Sequence, residues 1–184
     1  MQKKQMDVRL LVACGLFTAL VFLFSWVQIP IANISRIHLG NVFCALSGLL
    51  FGPIIGGISS GLGSMLFDFT NPAYIAESWI TFLTKFAIGF LAGILTKGKP
   101  YYMVRDFLAS TAGCVAYVIL YLTKSLIMMY FVEGQAWQAV QTQLITKGTT
   151  SLINAVGAII CATLLAKAMR PVLQNIKLIP QTIE

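Results

Sequence analysis

Acidic side chains are scarce in this sequence of 184 residues: six Asp and Glu stand against 13 Lys and Arg, with a single histidine. Charged residues of both signs make up only 10% of the chain, whereas 58% of its residues are hydrophobic. A soluble core of this size does not need so much apolar surface, so the composition indicates an integral membrane protein. Little sequence remains outside the apolar runs, and we therefore expect residues 1–184 to form a single membrane domain without a separate soluble catalytic domain.

The sequence lacks the residue patterns that metal binding and redox chemistry require. The four cysteines all fall inside apolar runs, and no pair has the C-x-x-C spacing: Cys14, Cys44, Cys114 and Cys161. The sequence thus predicts packed free thiols rather than a zinc site or a disulfide framework. His38 alone cannot build a metal site, and we predict neither a metal nor a cofactor.

Two enzyme motifs are present only as near misses. Residues Gly93–Lys99 match the start of a phosphate-binding loop, but Pro100 replaces the magnesium-binding Ser or Thr, and a helix precedes the motif. Residues Gly57–Gly61 match G-x-S-x-G, which requires a strand-to-helix turn, yet here they lie within an apolar helix. The chain therefore has no ATP site of its own, and we predict that it is not an enzyme. An intramembrane hydrolase stays as an alternative.

The stretch His38–Phe69 organises the chain. It consists of two apolar runs that meet at Phe51-Gly52-Pro53, where proline ends the first helix. Small residues recur at every fourth position across this break: Gly48, Gly52, Gly56, Ser60 and Ser64. In lipid, such spacing lets helix backbones approach closely, so the pattern predicts a tight helical hairpin that ends at the carboxylate of Asp68.

The apolar runs predict an all-α membrane protein, a compact bundle of six transmembrane helices. The expected helices are 8–28, 38–51, 54–69, 78–95, 105–131 and 144–169, the last one ended by Pro171. Residues 29–37 are expected to form a loop, and 135–143, which contain Trp137, an interfacial loop. Six spans place both termini on one side of the membrane.

Basic residues are concentrated on that side. Nine of the 13 Lys and Arg would lie there: Lys3, Lys4, Arg9, Lys97, Lys99, Arg105, Lys167, Arg170 and Lys177. By the positive-inside rule this side is the cytoplasm, so we expect a multi-pass protein of the plasma membrane with both termini cytoplasmic. The basic balance then reflects topology, and no nucleic-acid partner is predicted.

The other four cations, Arg36, Lys85, Lys124 and Lys147, all fall in the outer half of the bundle. A charge at mid-membrane costs at least ~2.5 kcal/mol, so such groups usually face a cavity and have a function. The alternative is that the long lysine side chains snorkel to the outer headgroups.

Helical spacing places further polar and aromatic residues near these cations. We predict a substrate site composed of Arg36, His38, Asn41, Asp68, Glu77, Trp79, Lys85, Tyr117, Tyr121, Lys124, Lys147 and Asn154. Aromatic faces can stack on a small ring, while lysines and amides can bind its hydroxyls or charge. A small polar-solute channel is a further alternative, but the inner half is apolar at Ala155–Ala166.

Several segments together resemble the substrate-binding S components of energy-coupling factor (ECF) vitamin transporters. The resemblance lies in Arg36–Asn41, Gly48–Pro53, Gly61–Asp68, Phe82–Phe86 and the pair Gly89 and Gly93. It implies a subunit that captures a vitamin or vitamin precursor at the outer face, with the loop after the first helix and the loop between helices 3 and 4 as lids. It also implies three partners, a transmembrane coupling protein and two cytosolic ATPases, in addition to the lipid bilayer.

The same resemblance implies a docking face of small residues on the first helix, here Ala13, Gly15 and Ala19. The sequence is most similar to members that handle pyridoxine or hydroxymethylpyrimidine. Riboflavin, pantothenate, folate and cobalamin stay open as substrates.

Overall fold

The computed structural model describes residues 8–32, 34–72 and 74–179. Six α-helices and one short hairpin follow one another along the chain: α1 (Val8–Trp26), β1 (Gln28–Ile31), β2 (Ser35–His38), α2 (Gly40–Phe51), α3 (Pro53–Phe69), α4 (Ser78–Thr96), α5 (Met103–Leu126) and α6 (Trp137–Asn175). A 3-10 turn, Ile75–Glu77, precedes α4, and a π-helical stretch, Ile127–Val132, extends α5. The predicted all-α bundle is confirmed. Lys3 and Lys4 of the predicted basic side lie outside the described residues.

The predicted loop over 29–37 is wrong, because β1 and β2 pair there as an antiparallel hairpin. Gln28 lies opposite His38, and Ile31 lies opposite Ser35. Sequence analysis missed this hairpin for two reasons. Each strand has only four residues, and Pro30 is as typical of a turn as of an edge strand.

Helix α6 is longer at both ends than the sequence predicts. It begins at Trp137 rather than at 144, because 137–143 form about two amphipathic helical turns that bury Val140 completely. It also continues through Pro171 to Asn175. Proline removes one hydrogen bond of the helix, but in membrane helices neighbouring groups commonly compensate for the loss.

Not every helix has the length of a full membrane span. Among the described residues four helical segments are long and apolar enough to cross a bilayer: Val8–Trp26, Ile75–Thr96, Met103–Val132 and Trp137–Asn175. Helix α2 has 12 residues and α3 has 17. At ~1.5 Å per residue they reach only ~18 and ~26 Å, less than the ~30 Å hydrocarbon core.

Glycines allow α2, α3 and α4 to touch along their backbones, as the small-residue spacing predicts. A Cβ placed on Gly48 would lie 2.2 Å from the carbonyl oxygen of Gly89. A Cβ on Gly89 would lie 2.1 Å from the carbonyl oxygen of Gly56. These contacts leave no room for any side chain, so the three helices form the closely packed centre of the bundle.

An ion-pair cluster joins α2, α5 and α6 at one end of the bundle. The guanidinium of Arg170 donates to both carboxylate oxygens of Asp106, at 2.6 and 3.0 Å, and to the backbone oxygen of Leu49 at 3.1 Å. Its Cζ also lies 4.5 Å from the ring centroid of Tyr101. The end of α2, the start of α5 and the end of α6 therefore meet here, so the helices alternate in direction.

Candidate functional site

A polar cavity of about 150 Å³ lies at the opposite end of the bundle. Six elements contribute to its wall: α1, the hairpin, α3, α4, α5 and α6. Its lining residues are Ser25, Ile34, Ser35, Arg36, His38, Ser64, Phe67, Asp68, Tyr74, Glu77, Thr81, Thr84, Lys85, Tyr117, Tyr121, Lys124, Lys147, Ser151 and Asn154.

Asn154 on α6 joins the hairpin to the bundle through both ends of its side-chain amide. The Asn154 amide donates through Nδ2 to the backbone oxygen of Arg36 at 2.9 Å. Its Oδ1 accepts from the backbone N–H of His38 at 3.0 Å. Strand β2 thus occupies both the donor and the acceptor of this amide. Asn154 links the hairpin to α6, and we call this link the Asn154 strut.

Two ion pairs bridge the elements around the cavity mouth. Arg36 Nη2 lies 3.7 Å from Asp68 Oδ1, and its guanidinium stacks on Phe67 and Tyr74, with Cζ 4.5 and 4.6 Å from their ring centroids. Lys124 on α5 donates to the carboxylate of Glu77, in the turn before α4. Each carboxylate is therefore matched by one cation.

The floor of the cavity carries a lysine and two stacked tyrosines. Lys85 is only 6% exposed, and its Nζ donates to the Oδ1 of Asn41. The same Nζ lies 4.0 Å from the ring centroid of Tyr117, a cation–π contact. Tyr117 and Tyr121 stack with their centroids 5.7 Å apart. A ring-shaped ligand could extend this stack.

His38 is the only imidazole of the chain, and it accepts a hydrogen bond. The backbone N–H of Gly40 donates to its Nδ1 at 3.1 Å. Burial lowers the pKa of His38 well below its usual range, and the positive charges of Lys85 and Arg36 lower it further. The imidazole is therefore neutral at pH 7 and adds no charge to the cavity.

Ten of the twelve residues predicted for the site line this one cavity. Asn41 is completely buried behind Lys85 and reaches the cavity only through that lysine. The placement of Trp79 is wrong: it is 61% exposed and lies with Met65, Phe82 and Leu83 in an apolar groove on the outside of the bundle. Trp79 lies at the start of α4, on a different face of the helix from Thr81 and Lys85. That these residues bind a ligand stays a prediction.

Sequence analysis missed several lining residues. Ser25 and Ser64 are small polar residues on helix faces that were expected only to pack. The burial of Ala13, Phe17, Val21 and Ser25 at a spacing of four shows that Ser25 continues the inward face of α1. This period was a usable signal for Ser25, whereas Tyr74 lies in an irregular segment that carries no periodicity.

One of the three residues predicted for the docking face on α1 does not lie on the surface of the bundle. Ala13 is 5% exposed and packs inside the bundle, because it shares the inward face with Phe17. Gly15 and Ala19 are exposed on the opposite face. A Cβ added to Gly15 would meet nothing within 4 Å. The small residues open to a partner are thus Gly15 and Ala19.

The arrangement of Ser59 does not support the hydrolase alternative. Ser59, the central residue of the G-x-S-x-G match, lies completely buried in α3 and donates to the backbone oxygen of Gly56 at 3.3 Å. Within the described parts of the chain, no group of three or more His, Cys, Asp or Glu side chains could hold a metal ion.

Comparison with known proteins agrees with the architecture. A curated relative from Pyrococcus woesei, described as an uncharacterized protein in gap 3'region, is 30% identical over 103 residues, which are 55% of this chain and 68% of that protein. The family model of the ECF-type riboflavin transporter S component matches residues 5–171. ECF S components are the substrate-binding subunits of membrane transporters and not enzymes. The match spans nearly the whole bundle, and the chain belongs to the family of ECF-type riboflavin transporter S components.

Proposed function

We propose that this protein captures a vitamin or vitamin precursor in the cavity beneath the β1–β2 hairpin. It then delivers the ligand with a transmembrane coupling protein and two cytosolic ATPases. The observation that carries the proposal is the cavity itself, a polar chamber with stacked tyrosines in a largely apolar bundle. Ligand sites are typically such concave chambers with a few convergent polar groups.

The size of the cavity bears on the identity of the vitamin. A cavity of about 150 Å³ holds a single benzene-sized ring. Pyridoxine or hydroxymethylpyrimidine, favoured by the sequence resemblance, has one ring with small substituents and requires less rearrangement than a fused ring system. Riboflavin, which the family's description names, has three fused rings and requires the hairpin to move outward. Titrating all three compounds into the purified protein by calorimetry decides among them.

Lys124→Met tests whether the cavity is the binding site. Removing the lysine takes a positive charge from the cavity wall and leaves the partly buried carboxylate of Glu77 without its partner, which costs up to ~1–3 kcal/mol. Ligand affinity should fall about tenfold or more, since 1.4 kcal/mol is a factor of ten. The control is Trp79→Leu, on the outside of the bundle, which should bind normally. Equal affinity in both variants would contradict the assignment.

We infer that the cavity end faces outward. The other end carries the basic residues Lys97, Lys99, Arg105 and Lys167, which the positive-inside rule assigns to the cytoplasm. An impermeant thiol reagent should therefore label Arg36→Cys, but not Lys99→Cys, in intact cells. The reverse pattern would refute both the orientation and an outward site.

Docking is proposed to use Gly15 and Ala19. Lipid provides no hydrophobic drive for helix association, so a partner helix needs small residues for close approach. Because the space beside Gly15 is open, Gly15→Leu should leave folding and ligand affinity intact. Uptake in cells that contain the coupling module should be lost. Normal uptake by Gly15→Leu and Ala19→Leu would exclude this face.

A further inference from the structure

The charges around the cavity do not balance. Four cations line it, Arg36, Lys85, Lys124 and Lys147, against the carboxylates Asp68 and Glu77. The two ion pairs already described use Arg36 and Lys124. Two lysines, Lys85 and Lys147, are therefore left over.

Neither of these lysines has an acidic partner among the described residues. The Nζ of Lys85 donates to the neutral amide of Asn41 and faces the ring of Tyr117. The Nζ of Lys147 lies 3.8 Å from the sulfur of Met129. An amide, an aromatic face and a thioether can orient an ammonium group, but none of them cancels its charge.

The rest of the chain offers little compensation. Of its six acidic residues, two, Asp7 and Glu184, lie outside the described part. Asp106 is bound to Arg170 at the other end of the bundle. Glu133 is exposed and accepts a hydrogen bond from Gln135. The surplus thus persists among the groups that the structure describes.

Snorkelling does not account for Lys85. With 6% of its surface exposed, it lies at the cavity floor, where its ammonium contacts Asn41 and Tyr117 rather than the bilayer surface. A buried cation without a counter-charge is costly, and a bound anion removes that cost. Lys147 borders the same chamber from α6.

From this juxtaposition we propose that the natural ligand is a planar ring that carries an anionic group, a carboxylate or a phosphate monoester. The ring stacks on Tyr117 and Tyr121, and the anion is held by Lys85, with Lys147 adding positive charge from the α6 side of the cavity. This inference rests on the proposed function and narrows it: it names the charge of the ligand, whereas the proposed function requires only that a vitamin-like ring binds.

The test compares pairs of compounds that share a ring and differ in one substituent, which is neutral in one member and anionic in the other. Dissociation constants for the purified full-length protein at pH 7 are measured by calorimetry for three pairs: nicotinamide and nicotinate, pyridoxine and 4-pyridoxate, riboflavin and riboflavin 5′-phosphate. The anionic member should bind at least about tenfold more tightly in one or more pairs. The first two pairs test a carboxylate, and the third tests a phosphate.

Lysine variants test which side chains cause the preference for the anionic ligand. Lys85→Met should bring the affinity ratio within that pair close to one, because it weakens binding of the anion more than binding of the neutral ring. Lys147→Met, which removes a less buried lysine, provides a second variant that disturbs the fold less. The matched control is Lys167→Met, an exposed lysine further along α6, which should keep the wild-type ratio.

Each failure has a distinct meaning. Equal or tighter binding of the neutral member in every pair would overturn the anion inference and still support the proposed function. An anion preference that survives both Lys85→Met and Lys147→Met would overturn the assignment to these lysines. Binding of no member of any pair would overturn the inference, whereas the proposed function would fall only if hydroxymethylpyrimidine, pantothenate, folate and cobalamin also failed to bind.

Discussion

The Asn154 strut gives the sharpest prediction, because its side chain makes two hydrogen bonds to the hairpin beside the cavity. Asn154→Leu preserves most of the side-chain volume but removes both hydrogen bonds to β2, at 2.9 and 3.0 Å. Each such bond contributes about 0.5–1.5 kcal/mol net. The closed position of the hairpin should therefore lose about 1–3 kcal/mol, which is about 5- to 150-fold in its closed-to-open ratio.

Two measurements report this change. Hydrogen exchange followed by mass spectrometry should show faster exchange of the amides in Gln28–His38, by about tenfold or more, while α3 and α4 keep their protection. Ligand dissociation, measured by stopped flow, should accelerate by a similar factor because the hairpin covers the site. The control is Val156→Leu, two positions away and 56% exposed, which should change neither.

The result that would refute this reasoning is clear. Unchanged exchange of the hairpin amides in Asn154→Leu would show that the two hydrogen bonds do not hold the hairpin. Faster exchange with an unchanged dissociation rate would show that the hairpin does not cover the bound ligand.

Two further predictions concern stability, measured as thermal unfolding in detergent. Gly89→Ala should destabilise the fold by about 1–3 kcal/mol, since its Cβ would collide with the backbone of Gly56; Gly157→Ala, where nothing lies within 4 Å, should be neutral or slightly stabilising, and equal effects would contradict the packing. Arg170→Met leaves the buried carboxylate of Asp106 unpaired and should cost about 3–5 kcal/mol, whereas a wild-type melting temperature would show that the pair contributes little.

Sequence analysis could predict the helices and most of the cavity residues because both follow regular spacing. Lys85, Tyr117 and Lys124 are polar residues at regular helical positions within apolar segments. This pattern predicted that they face the interior of the bundle, where they line the cavity. The hairpin could not be found this way, because its pairing joins residues on two short strands without alternation of polar and apolar residues. Spacing alone could not separate Ala13 from Gly15 either, since the rotation of α1 against the bundle is fixed by Phe17 and Val21 in the core.

The pairing of charges was equally beyond the sequence. Glu77 pairs with a lysine, Lys124, whereas Asp68 pairs with Arg36 of the hairpin. Which cation remains unpaired depends on helix rotation and on the hairpin together, and only the folded chain brings these into contact. The unpaired Lys85 is thus a property of the fold rather than of any segment.

The most direct test of the central claim is native mass spectrometry of the protein and of a variant with a filled cavity. Ser151 lines the cavity and is 3% exposed, so Ser151→Phe should occupy the space of the ligand. Leu152→Phe, at the neighbouring position with 57% exposure, is the matched control. The account predicts one small ring-bearing molecule per chain in the wild type and in Leu152→Phe, without any ATP, and none in Ser151→Phe. Retention of the same molecule by Ser151→Phe would contradict binding in this cavity.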